Sequence, residues 1–307
     1  MNPSAENKEQ ALEAKSFDSV MRKYKKRSQM GEIVRRFVQN KGAMLGLIII
    51  LIVVFIAVFA DQLLDYDTQV IGTNVPERMQ GPSAKHLFGT DELGRDIFYR
   101  VLYGSRISLA VGVVSVLIGL FIGLVLGCIA GYFGGMTEEI ILRLTDILAA
   151  VPNILMGIVI VAVLGASTFN LMLAIGITSI PQFVRVSRAA VLTVRGEEYV
   201  EAARSLGRSE AKIIALHIVP NCLSPIIVQT TLRIATAIIQ ASSLSFLGLG
   251  VPVPSPEWGA LLSAGRKWVR KAPYMTLFPG LAIMITVLAF NMIGDGLRDA
   301  MDPKLRR

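Results

Sequence analysis

The stretch GAMLGLIIILIVVFIAVFA, residues 42–60, decides the fold class of this 307-residue chain. Its 19 residues carry no charge. An α-helix rises about 1.5 Å per residue, so this stretch covers the roughly 30 Å hydrocarbon core of a bilayer. A soluble core of this size does not need such a run, and the stretch therefore predicts a transmembrane helix.

Five further apolar runs follow the first one. They cover residues 107–131, 147–164, 167–184, 222–244 and 274–294, and the third is interrupted early by Pro152 and Asn153. Charged residues make up 18% of the chain, below the quarter or so that is typical of soluble domains. The pattern predicts an all-α integral membrane protein with six spans.

The distribution of Lys and Arg predicts the orientation of the spans. If both termini are cytoplasmic, the inner segments 1–41, 132–146, 185–221 and 295–307 contain 21 Lys and Arg residues. The outer segments 61–106, 165–166 and 245–273 contain 9. This bias favours cytoplasmic termini. The net charge of +8 then reflects membrane topology, and nucleic-acid binding is a poor interpretation of it.

The segment before the first span is predicted to contain a helix on the inner membrane surface. Within Met30–Lys41 the residues Ile33, Val34, Phe37 and Val38 fall on one helical face. Residues 1–20 are predicted to be a solvated tail.

The sequence shows no motif that predicts a catalytic site or a metal site. Cys128 and Cys222 form no CxxC pair, and His86 and His217 lack the neighbouring ligands of a metal site. No GxxxxGK[ST], GxSxG or HExxH motif is present. We therefore expect no cofactor. An integral membrane enzyme with its active site in 61–106 would need more than His86 beside Ser83 and Lys85.

The charged stretch GEEYVEAARSLGRSEAK, residues 196–212, lies between the fourth and fifth apolar runs. Tyr199, Ala202, Ala203 and Leu206 follow the spacing of one helical face. Gly207 suits a helix end, because glycine enters the left-handed conformation cheaply. The spacing predicts a helix, a tight break and a second helix. Periodicity alone fits either a helix resting on lipid head groups or one that binds a protein.

The same stretch resembles the cytoplasmic signature of ATP-binding-cassette (ABC) importer permeases. The matching residues are Glu201, Ala202, Ala203 and Gly207, with Pro220 19 residues after the glutamate. The ending His217–Asn221 is close to that of the peptide-importer branch. FGTDELGRDIFYRVLYGSRISL (88–109), LSFLGLGVPVPSPEWGALLSAGR (244–266) and LFPGLAIMITVLAFNMIGDGLRDAMDP (277–303) resemble the same branch, and RRFVQNKGAMLGLIIIL (35–51) resembles its C-type subunit.

The resemblance implies a type I importer fold in a bacterial or archaeal cytoplasmic membrane. It implies a B-type permease as partner, two cytoplasmic ATP-hydrolysing subunits, an external substrate-binding protein and a di- or oligopeptide cargo. Very similar permeases carry nickel chelates, glutathione or antimicrobial peptides, so these cargoes stay open. ATP hydrolysis is expected on the separate subunits. The residues implied for the helix that couples to them are Glu198, Tyr199, Glu201, Ala202, Ala203, Leu206 and Gly207. A scaffold or receptor without transport would leave this helix unexplained.

Arg233 is the one charge deep in a predicted span, and Thr230 and Gln240 accompany it. A charge at this depth is costly and usually faces a cavity or a partner. The residue could meet a peptide in the translocation pathway, or it could form a structural contact with the partner permease. Both interpretations are open at this stage.

Two further sets of residues give structural expectations. Asp91, Glu92 and Arg95 are predicted to begin an external helix after Thr90, and together with Trp258 they are candidates for docking the binding protein. The glycines at 112, 119, 123, 127 and 131 predict close helix packing in lipid.

Overall fold

A computed structural model describes residues 29–301 of the chain. Within this range, five helices are long and apolar enough to cross a membrane, and a sixth candidate is a pair of helices bent by 88°. The predicted segments before residue 29 and after residue 301 lie outside the described residues.

Among the described residues, ten helices have eight residues or more. They are α1 (Gln29–Gln39), α2 (Lys41–Val58), α3 (Ile97–Phe133), α4 (Gly135–Ala150), α5 (Asn153–Leu164), α6 (Thr168–Val194), α7 (Glu198–Ser205), α8 (Leu223–Phe246), α9 (Trp258–Gly265) and α10 (Tyr274–Met301). Shorter helical turns are Ala60–Leu63, Tyr66–Val70, Val75–Glu77, Glu210–Ile213, Ile214–Ile218, Val219–Cys222 and Arg266–Trp268. The described residues contain no β-strand, only one isolated bridge between Thr90 and Asp96.

Helix α3 begins ten residues before the predicted second span. Asp96 is its N-cap, and one carboxylate oxygen accepts a hydrogen bond from the backbone N–H of Phe98 at 2.8 Å. Such a cap satisfies one of the free N–H groups at a helix start. The predicted helix start directly after Thr90 is therefore wrong, because residues 91–95 are not helical and α3 begins only after its N-cap Asp96.

The third apolar run is not one straight helix. α4 occupies most of the predicted loop 132–146 and continues to Ala150, and α5 starts after Pro152 at an angle of 88° to it. α5 has only 12 residues, about 18 Å, which is too short to cross a bilayer alone. We call residues 151–153 the elbow.

Two other helices extend past their predicted ends. α6 continues through Pro181, although the span was predicted to end near that proline. It also includes the first ten residues of the predicted loop 185–221. α10 continues to Met301, well into the predicted tail 295–307. Apolarity marks only the part of a helix that faces lipid, so helical ends in polar surroundings escape a hydropathy criterion.

The α3–α6 pair forms the centre of the bundle, and glycines bring the two helices together. A methyl group added at Gly119, Gly127 or Gly131 would lie within 3.0 Å of α6 side-chain or backbone atoms. Gly123 faces Phe183 in the same way. The expected close packing is confirmed for these positions, and Gly112 instead faces Ile238 of α8.

Candidate functional site: the coupling helix, the elbow and the cap

Helix α7 has one face in the protein and one face in solvent. Val200 and Ala203 are buried in a cluster with Ile213 and Ile218 and with residues of α3 and α6. Tyr199, Ala202 and Leu206 point outward, and Leu206 is 83% exposed. The predicted apolar face is therefore divided. Ala203 belongs to the inward face, and Val200, which was not among the candidates, anchors it.

The outward face combines apolar and acidic groups. Glu198 and Glu201 are exposed beside Tyr199, which is 41% exposed. Gly207 has φ +74°, so the predicted left-handed glycine at the helix end is confirmed. Tyr199 and Leu206 are two large apolar side chains left exposed on this short helix, and larger exposed apolar patches mark interaction sites. The face therefore has the character of a contact surface.

Polar contacts tie α7 to the end of α3. The guanidinium of Arg204 donates to the Tyr132 hydroxyl at 2.9 Å, and this hydroxyl also donates to the carboxylate of Glu210. The hydrogen bond to Tyr132 raises the pKa of Arg204 further above its usual range. Helix α7 is thus attached to α3 through both the buried cluster and these contacts. Spacing in the sequence gave no signal for Tyr132, which lies 72 residues from Arg204.

Arg233 lies in α8 and is buried, with 6% of its surface exposed. Its guanidinium donates to Ser179 of α6 at 3.0 Å, to Thr236 at 3.3 Å and to Gln240 at 3.4 Å. No carboxylate of the described residues lies within the 4.0 Å of an ion pair. The side chain of Arg233 thus links α8 to α6, and all its hydrogen-bond acceptors are neutral oxygens. Thr230 bonds only to the backbone oxygen of Ile226 and stands outside this network.

Gln240 extends the network to the elbow. Its amide donates to the hydroxyl of Thr178 and to the backbone oxygen of Asn153, both at 3.2 Å. Non-helical backbone at membrane depth needs polar partners inside the protein or in a water-filled cavity. Pro152, Asn153 and Thr236 are exposed on this chain, so the elbow and the Arg233 network lie at a surface.

We define residues 59–96 as the cap segment, which contains the docking candidates Asp91, Glu92 and Arg95, whereas Trp258 begins α9 and bonds to α3. Asp91 is buried and accepts hydrogen bonds from the Arg95 backbone N–H at 3.0 Å and from the Arg95 Nε at 2.7 Å. Trp258 is 2% exposed, and its indole N–H donates to the backbone oxygen of Val101 at 2.9 Å. In this chain these side chains act as internal supports, and the docking of a binding protein at Asp91, Arg95 and Trp258 stays a prediction.

Two other side chains complete the cap segment. Glu92 accepts a hydrogen bond from the indole of Trp268 at 2.8 Å and keeps part of its surface in solvent. His86 lies between two carboxylates, with Nδ1 2.8 Å from an oxygen of Asp96 and Nε2 3.1 Å from an oxygen of Glu77. His86 thus connects the cap segment to the start of α3. The described residues contain no group of three metal-binding side chains.

Two family descriptions match the chain. Residues 123–307 match "Binding-protein-dependent transport system inner membrane component", and residues 28–82 match "N-terminal TM domain of oligopeptide transport permease C". The first match covers the bundle that contains α4 to α10, and the second match covers the first span with the segment that follows it.

Similar proteins agree with this assignment. The dipeptide transport system permease protein DppC of Alkalihalophilus pseudofirmus is 49% identical over 275 residues, which are 90% of each chain. The glutathione transport system permease protein GsiD of Escherichia coli is 46% identical over 280 residues, 91% of this chain and 92% of the relative. A structure of the MetNI methionine ABC transporter in an inward-facing conformation superposes with a TM-score of 0.55 at 18% identity, over 67% of this chain and 98% of the other.

The helical bundle, the apolar spans and the relatives agree on one class of protein. The fold is that of type I ABC transporter permeases, and the relatives are transport permeases. The chain is thus a multi-pass membrane protein that belongs to the family of binding-protein-dependent transport system inner membrane components.

Proposed function

We propose that this chain is the C-type permease subunit of an ATP-driven importer of di- and oligopeptides. The relative at 49% identity is a dipeptide permease, and the N-terminal match is to an oligopeptide permease. The proposal also assigns it a B-type permease as partner, two cytoplasmic ATP-hydrolysing subunits and an external binding protein. Both termini would face the cytoplasm of a bacterial or archaeal cell.

The observation that carries the proposal is the division of α7 into two faces. The outward face, Tyr199, Ala202 and Leu206, would occupy a groove of an ATP-hydrolysing subunit, with Glu198, Glu201 and Gly207 around it. Val200 and Ala203 pack the helix into a buried cluster of this chain. A rigid attachment matters, because a coupling element passes on a conformational bias only if it moves as one body with the spans.

The pathway for the cargo would run along the elbow and the face of α8 that carries Thr236. Polar groups exposed at membrane depth are costly against lipid, and they are tolerated where they face water or protein. The second permease would close the other side of this pathway. At the outer end, the cap segment would receive the binding protein, with Glu92 as the partly exposed candidate for direct contact.

Peptide uptake tests this function. Deletion of the gene in its host should abolish ATP-dependent uptake of a radiolabelled dipeptide, and the wild-type gene should restore it. The Leu206→Glu variant should insert in the membrane and fail to restore uptake.

Glutathione is the second candidate cargo, because a relative at 46% identity carries the name of a glutathione permease. Uptake assays with labelled glutathione separate the two. Uptake of glutathione without uptake of dipeptides would reassign the cargo and leave the transport machinery as proposed. Loss of neither substrate on deletion would contradict the proposed function.

A further inference from the structure

We propose that the elbow and Arg233 form a subsite for the free carboxylate of the passing cargo. The inference rests on the proposed function and adds the chemical group that this region recognises. It comes from two independent features that meet at the elbow, a buried cation without a counter-charge and a helix start without a cap.

The first feature is the unused capacity of the Arg233 guanidinium. An arginine carries five N–H donors, and three hydrogen bonds are made to Ser179, Thr236 and Gln240. Two donors and the full positive charge are left without a partner among the described residues. A buried charge without an opposite charge costs several kcal/mol, so a fold that keeps one commonly pairs it with a ligand or a partner group.

The second feature is the start of α5. Its N-cap position is Pro152, and no side chain caps the helix there. The free N–H groups of a helix start carry a partial positive charge and attract anions. The start of α5 lies beside the apolar span of α8, because Gln240 within that span donates to the backbone oxygen of Asn153. Gln240 links it to Arg233, since its amide bonds to Asn153 O and its oxygen accepts from the guanidinium.

The geometry favours a cargo group over a fixed acidic residue of the partner permease. Arg233 is 6% exposed and bonds to neutral oxygens, whereas its neighbour Thr236 and the elbow residues Pro152 and Asn153 are exposed. A recessed cation attracts an anion without forming a closed ion pair. Transport needs such weak binding, because the cargo must leave the site again. Among the charged groups of a peptide, the one that every unmodified cargo carries as an anion is its terminal carboxylate.

The test compares a dipeptide with its C-terminal amide in proteoliposomes of the complete transporter. The same binding protein delivers both peptides to wild type and variant, so its own preference cancels in the ratio. Arg233→Gln should lower uptake of the free acid by about tenfold or more, the value of a lost charged hydrogen bond, and uptake of the amide by less than about twofold. Arg233→Lys should recover part of the free-acid uptake. Arg143→Gln, an exposed arginine elsewhere, is the control.

Each other outcome overturns the subsite in its own way. Equal losses for both peptides would make Arg233 a structural residue. Loss of the partner permease from the purified Arg233→Gln complex would place the counter-charge on that partner. Unchanged uptake of both peptides would remove Arg233 from the pathway and leave the proposed function intact. Absence of peptide uptake by the wild type would refute the proposed function itself.

A measurement on the wild type alone guards against a variant that does not fold. A peptide with a photoreactive benzophenone in its C-terminal residue, trapped in the transporter during turnover, should form adducts near residues 151–153 or 233–236. Blocking the carboxylate as an amide should reduce the share of these adducts among all adducts in the transporter at least about fivefold. Adducts confined to other helices would contradict the subsite.

Discussion

Replacement of Gly127 by alanine tests the packing on which the transmembrane bundle depends. The added methyl carbon would lie 2.7 Å from Ser187 Cβ and 2.7 Å from the backbone oxygen of Val184. Ordinary contacts begin near 3.4 Å, so α3 and α6 must separate by about 0.7 Å at this point. One of the two neighbours is backbone and cannot rotate away.

The size of the effect follows from this separation. A gap of 0.5–1 Å forfeits about a quarter to a half of the dispersion energy of each contact, and overpacked cores lose about 1–3 kcal/mol of unfolding free energy. At roughly 2–4 °C per kcal/mol, the unfolding midpoint of the purified protein should fall by several degrees. The matched control is Gly280→Ala, where the new methyl meets only Leu262 Cδ2 at 3.8 Å.

Thermal unfolding in detergent, followed by the exposure of buried cysteines to a thiol dye, measures the difference. Cys128 and Cys222 are buried in the cluster under α7 and report the opening of this region. The Gly127→Ala midpoint should lie below that of Gly280→Ala. Equal midpoints for the two variants would refute the close approach of α3 and α6.

Two further predictions concern individual supports of the fold. Asp91→Asn should lower the stability of the cap segment by about 3–5 kcal/mol, because it leaves the buried Arg95 without its counter-charge. The control is Glu139→Gln, in an exposed ion pair, which should change the stability by less than about 0.5 kcal/mol. Limited proteolysis compares the two variants, and equal cleavage rates would contradict the role of Asp91 as a support. Gly207→Ala should lower the free energy of unfolding by about 1–2 kcal/mol, because residue 207 has a left-handed backbone conformation. The measurement is the unfolding midpoint, which should fall. A midpoint at or above that of wild type would show that the turn adopts another conformation.

Continuous apolar runs predicted the membrane spans well where one run equals one helix, as in residues 42–60. The sequence did not predict the geometry of the elbow. Pro152 marked an interruption, but the 88° bend depends on how α4 and α5 pack against α6 and α8. Hydropathy also missed the polar end of α6, where Arg188 pairs with Glu138 of α4.

The same distinction, between local sequence pattern and packing of helices, applies to the candidate residues. Local periodicity placed Tyr199, Ala202 and Leu206 on a helix, because their spacing is a property of the helix itself. It could not tell which side of that helix the protein covers, so Ala203 was grouped with the outward residues and Val200 was omitted. Thr236 and Gln240 lie on the same helix as Arg233, and Arg95 lies in the same turn as Asp91, so these contacts are local. The bond from Arg233 to Ser179 of α6 follows instead from the packing of the bundle.

The most direct test of the central proposal is the recovery of ATP-hydrolysing subunits with the purified transporter carrying Leu206→Glu. Burial of one leucine contributes about 1.5–3 kcal/mol, so the account predicts a loss of about tenfold or more in bound subunits. Leu87→Glu, an equally apolar position in the cap segment with 56% exposure, is the control and should retain full recovery. Undiminished recovery of the ATP-hydrolysing subunits with Leu206→Glu would contradict the assignment of α7 as the coupling helix.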